Sequence, residues 1–156
     1  MVTATTKGIK ITVETEYQPA YSSPTQFHYV FTYRITIENR SDQTIQLLRR
    51  HWYIHDASRP VKEVEGEGVV GQQPVLEPGE VHNYVSGCNL KSGIGKMFGT
   101  YTMERVMDGK KFKVKRKGPA GIRFYLARPR RRSGAGGQGF PAAGRGFLFL
   151  TKSPVG

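Results

Sequence analysis

The feature that most constrains the fold is an alternating stretch at residues 27–38, where every odd position is aromatic or isoleucine and most even positions are polar. A period of two is typical of a β-strand, because successive side chains point to opposite faces of the sheet. The positions expected in the core are Phe27, Tyr29, Phe31, Tyr33, Ile35 and Ile37. Arg34 and Glu38 would face water, so the stretch predicts a half-buried strand of an antiparallel sheet.

Shorter alternating stretches predict further strands at residues 9–14, 44–54, 61–65, 80–89, 96–106 and 112–114. Trp52 should point into the core, because it shares a register with Ile54. Asp108-Gly109 predicts a hairpin with a two-residue type I′ turn, since both central residues of that turn need positive φ. Residues 1–114 contain no convincing amphipathic helix, so the pattern predicts an all-β fold, an antiparallel β-sandwich.

The positive charge of the chain is concentrated near its C-terminal end. Residues 1–114 hold 14 Lys and Arg and all 12 Asp and Glu, whereas residues 115–156 hold the other 10 basic residues and 9 of the 19 glycines. Such a stretch buries too little apolar surface to offset chain entropy. We therefore expect a domain at residues 1–115 and a basic, largely disordered Gly/Arg/Pro-rich tail at residues 116–156. The tail would contact nucleic acid weakly and without sequence preference.

Two apolar islands interrupt this tail, at residues 124–126 and 147–150, and their Gly and Arg surroundings argue against stable pairing with a sheet. Elsewhere, the single Cys88 excludes an intramolecular disulfide and fits a reducing compartment. The sequence shows neither a secretory signal nor an apolar run long enough to span a membrane. It therefore predicts a cytoplasmic protein.

Candidate metal ligands are scattered along the chain. His51 and His55 would lie on one strand with Cα atoms on the order of 13 Å apart, too far to bind one ion together. His82 and Cys88 have no further ligand at a suitable spacing. No catalytic motif is present either. The sequence therefore predicts no metal site, no cofactor and no enzymatic activity.

A glycine-rich segment at residues 66–71 formally matches the dinucleotide-binding pattern G-x-G-x-x-G. The prolines that follow preclude the helix whose N-terminus would hold a pyrophosphate, so the segment is interpreted as a loop between strands. As an alternative, its successive amides could bind a small anion or a nucleotide phosphate. The candidate binding residues are Gly66, Gly68, Val69, Val70, Gly71 and Pro74.

Motifs at residues 47–54, 64–79, 84–87, 95–101 and 109–112 follow one another in an order that resembles the ApaG family. The resemblance implies an immunoglobulin-like or fibronectin type III-like β-sandwich. It also implies a bacterial cytoplasmic protein associated with cobalt resistance and magnesium/cobalt efflux, while similar eukaryotic domains are joined to F-box and DNA polymerase-interacting proteins. We therefore expect an interaction domain that influences divalent-cation homeostasis indirectly, through an unidentified protein partner.

The chain departs from the family pattern near its C-terminus. ApaG domains usually close with a strand of the form Phe-x-Val-x-Ile-Pro-x-Phe-x-Leu, but here Lys115 is followed by Arg116-Lys117-Gly118-Pro119. So abrupt a switch is what a reading-frame shift in a high-GC gene would produce. Loss of the closing strand would leave a sheet edge open for self-association.

Overall fold

The structure is a computed structural model that describes residues 2–57, 59–115 and 122–125. The strands within these residues are β1 (Val2–Thr6), β2 (Ile9–Tyr17), β3 (Tyr29–Asn39), β4 (Ile45–Asp56), β5 (Lys62–Glu67), β6 (Val75–Leu76), β7 (Val81–Leu90), β8 (Ile94–Arg105), β9 (Lys110–Lys115) and β10 (Ile122–Tyr125). Two short 3-10 helices, Pro19–Tyr21 and Pro24–Gln26, precede β3.

The strands form two antiparallel sheets. Sheet I has the order β1-β2-β3-β7, and sheet II has the order β10-β8-β4-β5, with β6 paired to β4 and β9 paired to β8. Buried apolar side chains from both sheets form one hydrophobic cluster. The predicted all-β antiparallel sandwich is therefore confirmed.

The alternation in β3 places four of its six predicted core residues as expected, while Tyr29 is only partly buried against the core. Phe31, Tyr33, Ile35 and Ile37 are at most 1% exposed. Phe27, in contrast, is 68% exposed, so its predicted core position is wrong. It ends the second 3-10 helix with a left-handed backbone (φ 54°), and β3 begins only after this turn. The helical turn breaks the period of two that the side chains suggest.

A β-bulge at Leu48 controls which side chains of β4 point inward. Leu47 pairs with Met103, but Arg49 pairs with Thr102, so β4 has one extra residue at this point. The bulge explains why both Leu47 and Trp52 are buried although their spacing is odd. The predicted inward position of Trp52 is confirmed.

The hairpin between β8 and β9 differs from the predicted turn. Arg105 pairs with Lys110, so the loop has four residues, and Gly109 has a positive φ (68°) whereas Asp108 does not. The Asp108 carboxylate instead accepts hydrogen bonds from the Arg105 guanidinium and the Lys110 amide. This carboxylate stabilises the longer loop, so the predicted two-residue type I′ turn is wrong.

Four residues of the predicted tail belong to sheet II. β10 pairs with β8 through Ile122 opposite Met97 and Tyr125 opposite Ile94, in line with the pairing of β9 along the same edge. The edge expected to be open is therefore paired at these positions, because β8 offers unsatisfied backbone groups there. Residues 116–121 and 126–156, including the second island and the arginine cluster, lie outside the described residues, so the rest of the tail stays a prediction.

Candidate interaction surface

The predicted glycine loop is a tight hairpin that leaves β5 and turns back toward β6; we call residues 66–71 the glycine hairpin. The Val69 amide donates to the Gln72 carbonyl (2.8 Å), and the Gln72 amide donates to the Val69 carbonyl (3.0 Å). Val70 (φ 48°) and Gly71 (φ 75°) form the turn between them. Positive φ at both central residues is the requirement of a type I′ turn.

Gly68 is a position where another residue would not fit. Its φ is +60°, and a Cβ atom would lie 2.2 Å from the Gln72 carbonyl oxygen. Its amide donates to the carbonyl of the bulge residue Leu48 (2.7 Å). The same carbonyl accepts a hydrogen bond from the Gln73 side chain (2.9 Å). The bulge and the glycine hairpin therefore fix each other in place.

Arg50 connects the hairpin to the space between the sheets. It lies on the same face of β4 as Trp52, and its Nη1 donates to the carbonyls of Glu67 (3.1 Å) and Gly68 (2.7 Å). A Cβ atom at Gly66 would lie 3.2 Å from Arg50 Nη2, so glycine makes room for the guanidinium. The hairpin thus presents carbonyl groups to a positive charge.

The six candidate binding residues lie together in this region, but they differ in exposure. Val69 is buried in the core, and the Pro74 carbonyl accepts a hydrogen bond from the Leu47 amide (3.0 Å). Val70 is 38% exposed at the tip beside Gly71. Because the amides of Gly68 and Val69 donate within the protein, the anion-binding alternative depends on the amides of the tip.

The solvent-facing side of sheet II carries a row of contacting aromatic rings that sequence reasoning missed. We call His51, Tyr53, His55 and Phe98 the aromatic strip. Ring centroids are 4.8 Å apart for His51 and Tyr53, 5.3 Å for Tyr53 and Phe98, and 5.1 Å for His55 and Phe98. Every ring is partly exposed. The bulge at Leu48 produces the strip, because it turns these positions of β4 outward.

Charged side chains lie beside the strip on β4 and β5. Arg49 lies 3.6 Å from the Glu65 carboxylate and 3.9 Å from that of Glu67. His51 Nε2 contacts the Glu63 carboxylate. Exposed ion pairs of this kind contribute little to stability. They can therefore exchange partners when another molecule binds.

The histidines and the cysteine considered as metal ligands lie apart. His51 and His55 share the aromatic strip, whereas His82 and Cys88 lie on β7 in sheet I. Partial burial lowers the pKa of His82, and burial raises the pKa of the Cys88 thiol to about 12. Across residues 2–57, 59–115 and 122–125, no three His, Cys, Asp or Glu side chains are grouped to hold a metal ion.

Buried tyrosines join the two sheets in the core. The hydroxyls of Tyr84 and Tyr101 share a hydrogen bond, and Tyr101 packs edge-on against Trp52. Burial raises the pKa of Tyr33 to about 12 and holds the pKa of Tyr84 well above its usual value. These hydroxyls therefore stay protonated and bind other core groups.

No helix in the described part of the chain is long and apolar enough to cross a membrane.

The family model and the known proteins that are similar to this chain point to the same family. The family model described as the ApaG domain matches residues 19–105. Protein ApaG of Brucella canis is 47% identical over 114 residues, which cover 73% of this chain and 87% of that protein. Protein ApaG of Paramagnetospirillum magneticum is 48% identical with the same coverage.

Two solved structures extend the similarity to the fold. A putative ApaA protein from Bordetella pertussis is 42% identical with a TM-score of 0.68, covering 79% of this chain and 95% of that one. An X-ray structure of a structural genomics target is 32% identical with a TM-score of 0.71, covering 87% of this chain and 100% of the other.

Proposed function

The chain belongs to the ApaG domain family, and from this membership and its surface we propose that it is a non-enzymatic interaction domain. Its binding surface combines the aromatic strip with the tip of the glycine hairpin. The observation that carries this proposal is the row of partly exposed rings on sheet II, with neighbouring centroids 4.8–5.3 Å apart.

Aromatic side chains suit a binding surface for two physical reasons. They bury a large area with few rotatable bonds, and they are enriched among the residues that dominate binding energy. Here the rings already contact one another and are carried by two paired strands, β4 and β8. Little side-chain entropy remains to be lost on binding, which favours affinity.

The hairpin tip adds a second, unusual feature. Val70 is a β-branched residue with a φ of 48°, a conformation that such residues rarely adopt. Backbone strain of this kind is often found at binding sites. An exposed apolar side chain at the tip would give a partner one more apolar contact.

Divalent-cation handling, which the ApaG resemblance implies, would then operate through the partner. The histidines of the aromatic strip lie on one strand, His51 with its Nε2 on Glu63 and His55 against Phe98, an arrangement suited to ring stacking. We expect cobalt and magnesium to bind the isolated protein no more tightly than the millimolar range. A stoichiometric micromolar site in calorimetry would favour direct metal binding instead.

The double variant Tyr53→Ser/Phe98→Ser tests the proposed surface. Wild-type and variant proteins on beads would be compared for the proteins that they retain from the native cytosol, with quantitative mass spectrometry as the readout. We expect the specific partners to fall by about tenfold or more, because central aromatic residues each contribute roughly 2 kcal/mol or more at such interfaces.

Tyr21→Ser is the matched control, since Tyr21 is 52% exposed and lies outside the strip. It should retain the same partners as the wild type. Circular dichroism and thermal unfolding would establish that each variant is folded. Equal recovery by the wild type and the double variant would contradict the proposal.

The anion-binding alternative has its own test. Pyrophosphate would be titrated into labelled protein while the amide NMR signals of residues 66–71 are followed. Saturable shifts confined to the hairpin tip would favour the alternative. No movement at millimolar pyrophosphate would eliminate it.

A further inference from the structure

Three turns meet at one end of the sandwich and enclose a cleft of about 220 Å³. They are the turn between β1 and β2, the loop between β3 and β4, and the hairpin between β8 and β9. The Arg40 amide donates to the Gly8 carbonyl (2.8 Å), and the Val106 amide donates to the Thr44 carbonyl (3.0 Å). Backbone hydrogen bonds therefore hold the three turns together.

Asn39 makes the central loop of this cleft rigid. Its side chain is completely buried, and its Nδ2 donates to the carbonyls of Gln43 (2.8 Å) and Leu76 (2.9 Å). Its Oδ1 accepts hydrogen bonds from the Ser41 amide (3.0 Å) and hydroxyl (2.6 Å). A cleft built on such a loop is preorganised, which lowers the entropy cost of binding.

The cleft lining has an excess of positive charge. Lys7, Arg105 and Lys110 contribute three cations, against the single carboxylate of Asp42. Arg105 is held by Asp108 through an Nε to Oδ1 hydrogen bond of 2.9 Å. Within the described residues, neither lysine ammonium forms a salt bridge. Both ammonium groups therefore lack a carboxylate partner among these residues.

Lys7 is held in an unusual conformation beside an apolar wall. Its φ is 49°, in the left-handed region that non-glycine residues seldom occupy. Its Nζ lies over the ring of Phe112 in a cation–π contact, 5.6 Å from the ring centroid, and Phe112 also lines the cleft. The cleft thus combines ammonium groups with an aromatic surface. Its volume is below the roughly 300 Å³ typical of the smallest drug-sized pockets, which suits a small ligand.

We propose that this cleft binds a small phosphate-bearing molecule. The phosphate group lies between Lys7 and Lys110 and draws the Lys7 ammonium away from the Phe112 ring, and the organic part then lies against that ring. The ammonium groups supply the charge that a phosphate monoester needs, and the ring excludes water from one side of the ligand. This site uses residues different from those of the proposed interaction surface, so either can fail without the other.

Phenyl phosphate is a suitable probe, because it joins a phosphate to one ring. Titrated into labelled protein up to about 10 mM, it should shift the amide signals of Lys7, Gly8 and Lys110 saturably. The double variant Lys7→Gln/Lys110→Gln should weaken this binding by about tenfold or more. Inorganic phosphate should shift the same signals with a lower affinity, because it lacks the ring.

The variant Lys111→Gln/Lys113→Gln is the matched control. It removes the same two charges, and both lysines lie in β9 at the positions that alternate with Lys110 and Phe112. Its affinity for phenyl phosphate should stay within about twofold of the wild type. The proposal would be overturned by the absence of saturable shifts, by equal losses in both variants, or by shifts confined to residues 66–71.

Discussion

At the scale of single residues, Trp52 is the side chain on which the core depends most. It is 1% exposed and packs edge-on against Tyr101, with ring centroids 5.3 Å apart. Trp52→Ala should lower the free energy of unfolding by about 3–5 kcal/mol, because it leaves a cavity between the sheets. Urea denaturation followed by circular dichroism would measure this loss.

Trp52→Phe separates ring packing from hydrogen bonding at the same position. The indole Nε1 is buried and has no hydrogen-bond partner within the described residues. Phenylalanine keeps an aromatic ring and removes that donor, so it should cost clearly less than alanine. If Trp52→Ala leaves stability unchanged, the ring does not pack in the core and becomes a candidate contact residue.

At the scale of elements, the glycine hairpin contains two glycines that are required for different physical reasons. Gly68 and Gly71 both have positive φ, but a Cβ atom would overlap a backbone carbonyl at Gly68 and meets nothing within 4 Å at Gly71. Gly71→Ala should therefore cost about 1–2 kcal/mol, the cost of a left-handed backbone alone. Gly68→Ala should cost more, since the new Cβ atom would also displace the Gln72 carbonyl, which accepts the hydrogen bond from the Val69 amide that closes the turn.

Chemical denaturation of both glycine variants gives the comparison directly. A larger loss for Gly68→Ala would show that crowding against the Gln72 carbonyl adds to the cost of the left-handed backbone. Equal losses would show that the hairpin relaxes enough to accommodate the extra Cβ atom. If the hairpin positions the binding surface, Gly68→Ala should also reduce partner recovery, while Gly71→Ala should do so less.

At the scale of the whole molecule, β10 covers part of one edge of sheet II. It pairs with residues 94–97 of β8, beyond the point where β9 ends. A chain ending after Lys115 would lack this strand and leave part of the β8 edge unpaired. We expect this chain to unfold at a lower temperature and to self-associate, because unpaired edges recruit other strands.

A chain ending after Ala127 is the control, since it keeps β10 and removes the arginine cluster. Thermal unfolding and sedimentation velocity at several concentrations would compare it with the shorter chain. The longer chain should resemble the full-length protein in both. Identical behaviour of the two truncated chains would place the domain boundary at Lys115, as predicted from the sequence.

The sequence alone determined most of the core and most of the strands, although β1, β6 and β10 were not predicted. Alternation of apolar and polar side chains is a local property, because each residue of a strand points opposite to its neighbour whatever the partner strand is. Phe31, Tyr33, Ile35 and Ile37 could therefore be assigned to the core directly. The motifs that resemble ApaG domains predicted the family, and the matching family model and the similar proteins confirm it.

Only the tertiary structure decided where that alternation breaks and which residues meet across strands. The bulge at Leu48 depends on hydrogen bonds from Gly68 and Gln73, which are far away in sequence. That single extra residue turns the side chains of the aromatic strip outward, where Phe98 of another strand joins them. The cleft at Lys7 likewise requires three separate turns. Such sites depend on strand register, which backbone pairing sets and a local pattern does not contain.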